Sequence, residues 1–199
     1  MFACTKLLVA LSIGLLGALL GYTQPSRAQA QNPVTAIDIL LEPDGTMIKN
    51  ATASNERLLK VFPKGFALGK THQPHISTLQ RYVKTTDLDK VEAVGKVLAE
   101  EKPTGWKLKA YKYYYIPWKE LGLAGIVIEP TNDLIRYQKE LIDAVAPFTV
   151  ETGTAAAFVT TKEDPDINGP TIDYVRTFVP NETGSSTRMW PSVSPPKIT

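Results

Sequence analysis

Between Thr35 and Val179 the apolar residues change period again and again, and that alternation leaves few folds open. Thr35 to Leu41 mixes β-branched and apolar residues as a strand does, and Pro43-Asp44-Gly45 ends it. Met47, Ala51, Leu58 and Val61, with Leu59 beside them, mark one side of a helix that stops at Pro63 and Gly65. His75 to Val83 reads as the next strand. Thr86-Asp87 then caps a helix from Leu88 to Glu101, with Leu88, Val91, Val94, Val97 and Leu98 at helical spacing. Trp106 to Ile116 and Leu123 to Ile128 read as strands joined by a hairpin loop over Pro117 to Gly122. Pro130 to Asp133 caps a helix running to about Ala146, with Leu134, Tyr137, Leu141 and Val145 on one face. Thr152 to Thr161 is a strand or a loop, and Thr171 to Val179 a short helix. The order β-α-β-α-β-β-α predicts an α+β or α/β domain in which helices cover a sheet.

The first thirty residues read as an address. Lys6 opens the chain with positive charge, Leu7 to Gly21 is apolar, and Ala28-Gln29-Ala30 is an A-x-A cleavage site. The apolar run is shorter than the roughly 20 residues of a membrane span, and no second run follows. Cys4 precedes the run, which argues against a lipid anchor. The expectation is a signal peptide over residues 1–30, cleaved near Ala30, and a bacterial periplasmic or secreted product with no membrane attachment. Cleavage would leave 169 of the 199 residues, enough for one cored domain. Taking Lys6 and Arg27 from the 22 basic residues leaves 20 against 20 acidic ones, so net charge does not point to nucleic acid. Cys4 is the only cysteine, so the remaining chain has neither disulfides nor thiolate metal sites.

Chemistry concentrates in Thr71-His72-Gln73-Pro74-His75-Ile76-Ser77-Thr78-Leu79. Strand residues two apart share a face, so His75 and Ser77 point the same way. An imidazole moves protons near neutral pH, and a neighbouring hydroxyl can hold a phosphate oxygen. Phe62-Pro63-Lys64-Gly65-Phe66 lies upstream, and Leu79-Gln80-Arg81-Tyr82 follows. With the β-α unit before it, this stretch resembles the two-histidine (2H) phosphoesterase superfamily, particularly its 2′-5′ RNA ligase-like branch. The resemblance spans about residues 34 to 184.

That resemblance implies a bilobal fold of two related β-α units with an antiparallel or mixed sheet around a central cleft. Each lobe would give the cleft one H-x-[ST] strand. It implies one histidine acting as base, the other as acid, and hydroxyls gripping phosphate, with no metal or other cofactor. Substrates would be 2′,3′-cyclic or 2′-5′ phosphodiesters of RNA ends or small nucleotides, and no protein partner is implied. Carried onto this chain, His75 and Ser77 match the first motif as catalytic residues, and Thr78 should face away. His72, three residues before His75, cannot act as its partner from an opposite lobe.

The second motif should follow Tyr174 to Pro180, and no histidine is there. Residues 185–199, including Arg188-Met189-Trp190-Pro191, carry no secondary-structure pattern and are expected to be irregular. Regrouping the codon bases by one position can yield a histidine-bearing strand in this stretch, so a frameshift near Ser185 is the expected cause. The domain is therefore expected over residues 31–184 with an incomplete second lobe and impaired hydrolysis. The alternatives are a non-catalytic phosphate- or nucleotide-binding module and an inactive truncated product.

Two other patterns need placing. Asp164-Pro165-Asp166-Ile167-Asn168-Gly169 imitates a calcium-loop opening, but Val175 stands where the bidentate Glu belongs, so an Asx/Gly turn is expected and no metal site is assigned. Trp106 to Tyr115 interleaves lysines with tyrosines. On one strand Lys107, Lys109, Tyr111, Tyr113 and Tyr115 share a face, which makes Tyr113 and Tyr115 candidates for stacking a substrate base. Sheet packing with snorkelling lysines is the competing reading.

Overall fold

The computed structural model describes residues 2–11, 32–63, 65–69, 72–99, 105–118, 121–160, 165–182 and 188–191. The described chain is α+β: helices cover a sheet whose recorded pairings are all antiparallel. Its strands are β1 (Phe2–Leu11), β2 (Val34–Pro43), β3 (Pro74–Lys84), β4 (Lys107–Leu108), β5 (Ala110–Trp118), β6 (Leu121–Ile128), β7 (Thr149–Val150) and β8 (Arg188–Pro191). The helices are α1 (Gly45–Val61), α2 (Leu88–Ala99), α3 (Asn132–Val145) and α4 (Gly169–Glu182). Strand order is β4-β1-β2-β3-β8-β6-β5, with β7 beside the far end of β3. Lys109 alone separates β4 from β5, yet the two occupy opposite ends of that order. Two residues of chain reach at most about 7 Å, so the sheet curls until its ends meet.

The helices form where the local chemistry asks for them. Asp44 caps α1, its Oδ1 accepting from the Met47 N–H at 2.9 Å, and Thr131 Oγ1 caps α3 through Leu134 N–H at 3.2 Å. Leu134, Tyr137, Leu141 and Val145 are fully buried along one stripe of α3, as their spacing requires. They join Ile37, Ile39 and Leu41 of β2 and Ile76, Leu79 and Val83 of β3 in the larger core. A smaller core of Ala36, Tyr82, Ala157, Phe158 and Val175 closes elsewhere. Asn168 Oδ1 accepts from both N–H and Oγ1 of Thr171 at 3.0 Å, so the residue that imitated a calcium ligand caps α4 instead.

Several segments depart from expectation. The strand expected over Trp106 to Ile116 is two strands broken at Lys109, which pairs with Glu129 at 3.0 Å. A register shift between Ala110 and Lys112 follows, so the lysines and tyrosines of this stretch do not form one continuous face. The hairpin is tighter than Pro117 to Gly122, because β5 and β6 remain paired up to Trp118 opposite Leu121. Thr152 to Thr160, part of the stretch expected as a strand or a loop, is a loop with a 3-10 turn at Ala155–Ala157, and the two-residue β7 precedes it. Within the tail expected to be irregular, Arg188–Pro191 is a strand between β3 and β6. Four residues without an amphipathic pattern extend here because strands on both sides offer unpaired backbone groups. Phe2–Leu11, read as part of a leader, pairs with β2 as β1, and the cleavage site at Ala28–Ala30 lies outside the described residues.

Candidate functional site

Asn55 of α1 sets the approach to β3. Its Nδ2 donates to Phe66 O at 2.8 Å and its Oδ1 accepts from Leu68 N–H at 2.9 Å, pinning the loop after Pro63. Gly69 and His72 exchange backbone hydrogen bonds, and the His72 ring sits edge-on to Phe66 at 4.6 Å. This turn delivers Pro74 into the sheet and starts β3.

On β3, His75 and Ser77 share one face, as alternation requires. The third member of the group comes from β2. Asp38 Oδ2 lies 3.5 Å from His75 Nε2, accepts from Ser77 Oγ at 2.8 Å and accepts from Gln80 Nε2 at 2.8 Å. Gln80 Nε2 also lies 3.3 Å from Ser77 Oγ. His75 Nδ1 sits 2.9 Å from Gln73 O, a contact that places a proton on Nδ1. Asp38 Oδ1 is buried and has no hydrogen-bond partner among the described residues.

A β-bulge assembles this set. Ile39 pairs with Leu79 and Leu40 with Ser77, so Thr78 is the extra residue. Without the bulge, Gln80 would face away from Ser77, three positions earlier. With it, Ser77, Gln80 and Asp38 come to one side. Thr78 itself is fully buried, donating from Oγ1 to Ile39 O at 2.7 Å, while its carbonyl accepts from Gln138 of α3 at 3.1 Å. It takes no part in the His75 cluster, in keeping with the expectation that it faces away.

The cluster favours a charged histidine. Burial is the largest influence on His75 and works against the charge. The hydrogen bond to Asp38, the Asp38 charge and the Gln73 carbonyl outweigh it, and the pKa lies above the ordinary 6.5. A folded-state pKa above the unfolded one contributes stability in full below pH 6.5 and loses it as pH rises through the raised value. Denaturant unfolding across that window should show the wild type losing its advantage over a His75→Gln variant as pH increases. A difference that stays constant with pH would contradict the assigned charge.

Tyr113 and Tyr115 are not brought to this cluster. Cα register runs from Ile76 through Met189 and Ile126 to Tyr113, and paired residues of neighbouring strands lie on one face. Tyr113 therefore stands with Ile76, on the side opposite His75, and Tyr115 shares its parity. Two further contacts agree: Tyr113 Oη lies 3.1 Å from Ser54 Oγ of α1, and Tyr113 lines a shallow apolar groove with Ala51, Leu58, Pro74 and Ile126. Both tyrosines are exposed. The interleaved pattern suggested base stacking, but a local pattern does not reveal which face of a distant strand its residues share.

The sequence reading missed Asp38 and Gln80. Asp38 is the one carboxylate within the apolar stretch Thr35 to Leu41, flanked by Ile37 and Ile39, and that isolation is the available signal. The chain's other histidine, His72, lies in the turn before β3 and does not supply a second proton-transfer group opposite His75. Among the described residues no group of three or more His, Cys, Asp or Glu side chains is arranged to hold a metal ion. None of the described helices is long and apolar enough to cross a membrane. Comparisons with protein-family models, with curated proteins and with solved structures found no match to this chain.

Proposed function

We propose that this chain is a metal-independent phosphodiester hydrolase of the two-histidine phosphoesterase kind, acting slowly on 2′,3′-cyclic or 2′-5′ linkages of RNA ends or small nucleotides. The observation that carries the reading is the His75–Ser77 pair on one face of β3, with the imidazole oriented by Gln73 O and Asp38. Held as the imidazolium, His75 is the acid of the reaction. Water attacks phosphorus and gives up its proton to solvent, the bond from phosphorus to the leaving ribose oxygen breaks, and the Nε2 proton passes from its contact with Asp38 to that oxygen. No second imidazole faces His75 to receive the proton of the attacking water, so hydrolysis is slow. The bilobal architecture belongs to the same proposal.

The test is release of a nucleoside monophosphate from a 2′,3′-cyclic nucleotide by the purified chain, with a chelator present. Turnover above the His75→Ala background supports the reading. Equal rates remove it and favour a module that holds phosphate without turnover.

Export is part of the proposal. Residues 1–30 act as a signal peptide, and cleavage after Ala30 gives a product beginning at Gln31. Processing would also remove β1 and leave the outer edge of β2 unpaired. N-terminal sequencing of the chain recovered from a bacterial periplasmic fraction should read Gln-Asn-Pro-Val. A product that retains Phe2 to Leu11 would overturn the leader assignment.

A further inference from the structure

The donors around Asp38 converge in an unusual way. Ser77 Oγ and Gln80 Nε2 each reach its Oδ2 at 2.8 Å, and His75 Nε2 faces the same atom at 3.5 Å. Three donors from one strand, two neutral and one cationic, therefore point at a single anionic oxygen. Hydroxyl, amide and imidazolium are also the groups that bind a phosphate oxygen. Here the Ser77 proton is spent on Asp38, and a carboxylate stands within hydrogen-bond distance of where a phosphate would need to sit. Two anions cannot share that donor set, because like charges a few ångströms apart repel strongly in a partly buried setting. The site is partly open, since the side chains of His75 and Asp38 each retain 13% exposure.

We propose that the Asp38 carboxylate is a built-in occupant of an oxyanion pocket formed by His75, Ser77 and Gln80, and that it keeps phosphate out. This rests on the reading of His75 and Ser77 as phosphate-facing groups, and it adds what limits them. Asp38 is then a gate on anion binding, not a partner that assists it. The unpartnered Oδ1 agrees with this role, because a carboxylate placed only to orient the histidine would be expected to satisfy both oxygens.

The experiment is binding of inorganic phosphate to the full chain by calorimetry at about pH 6, where an unperturbed imidazole is largely protonated. Asp38→Asn keeps the shape and removes the charge, and Asp38→Ser opens the space as well. Both variants are expected to bind phosphate at least tenfold more tightly than the wild type, about 1.4 kcal/mol. Adding Ser77→Ala or His75→Ala to either should abolish the gain. Circular dichroism establishes which variants fold, and the small polar serine serves if the asparagine does not. Affinity no tighter than wild type in the folded variant would overturn the proposal. So would a gain that survives loss of either His75 or Ser77. Phosphate binding is read separately from turnover: tighter binding without hydrolysis would sink the hydrolase reading and keep this one, and hydrolysis without tighter binding would do the reverse.

Discussion

Replacing His75 with alanine is expected to lower hydrolysis of a 2′,3′-cyclic nucleotide by about 10²–10⁴-fold, a barrier increase of about 3–5 kcal/mol. The magnitude follows from the role. The ring is held between Gln73 O and Asp38, and removing it leaves no substitute donor of comparable acidity. Ser77 donates to Asp38 and is too weak an acid to protonate an alkoxide. His72→Ala is the matched control. That ring packs on Phe66 in the turn before β3, so its loss should change the rate only a few-fold. Steady-state rates for the three proteins, with circular dichroism to establish folding, decide the matter. Equal loss in both variants would mean that the turn, and not the His75 cluster, governs activity.

Gly153→Ala is expected to destabilise the fold by about 1–3 kcal/mol, an effect no catalytic reading would anticipate. A Cβ at this position would lie inside the van der Waals surface of Cδ1 and Cε1 of Tyr82 and 3.0 Å from its Cγ. Tyr82 cannot swing aside. Its ring is 1% exposed, meets Phe158 edge-on at 5.9 Å, and donates from Oη to Ile172 O at 3.0 Å. The added methyl must therefore displace either the loop after β7 or the ring that ties β3 to α4. Gly45→Ala gives the comparison, because nothing lies within 4 Å of a Cβ there and the position opens α1. That change should be neutral or stabilising by roughly 0.5–1 kcal/mol, since alanine loses less entropy than glycine in a helix. Urea unfolding of the pair measures both effects. Equal stability would show that the loop relaxes away from Tyr82.

The same ring shows why its surroundings are strict. Burial, with the charge of Asp173 adding to it and Arg176 opposing, pushes the Tyr82 phenol up to about 12. The phenol therefore stays neutral well above the pH at which an exposed tyrosine ionises.

Local order was legible in the sequence by itself. The stripe of α3, the Thr131 cap and the paired direction of His75 and Ser77 follow from distances of two to four residues along one chain. Within a single helix or strand, side-chain direction is a matter of counting. What tertiary structure decided lies across strands. Asp38 meets His75 only because β2 and β3 pair in one register, and Gln80 joins them only because Thr78 bulges out of the ladder. Tyr113 and Tyr115 stand on the face opposite His75 for a similar reason, since parity carried across β8 and β6 sets their face, three strands away from His75. Arg188–Pro191 became a strand through its neighbours and not through its own pattern. Periodicity is a property of consecutive residues, whereas register is set by which edges meet, and a shift of one residue turns every later side chain to the opposite face.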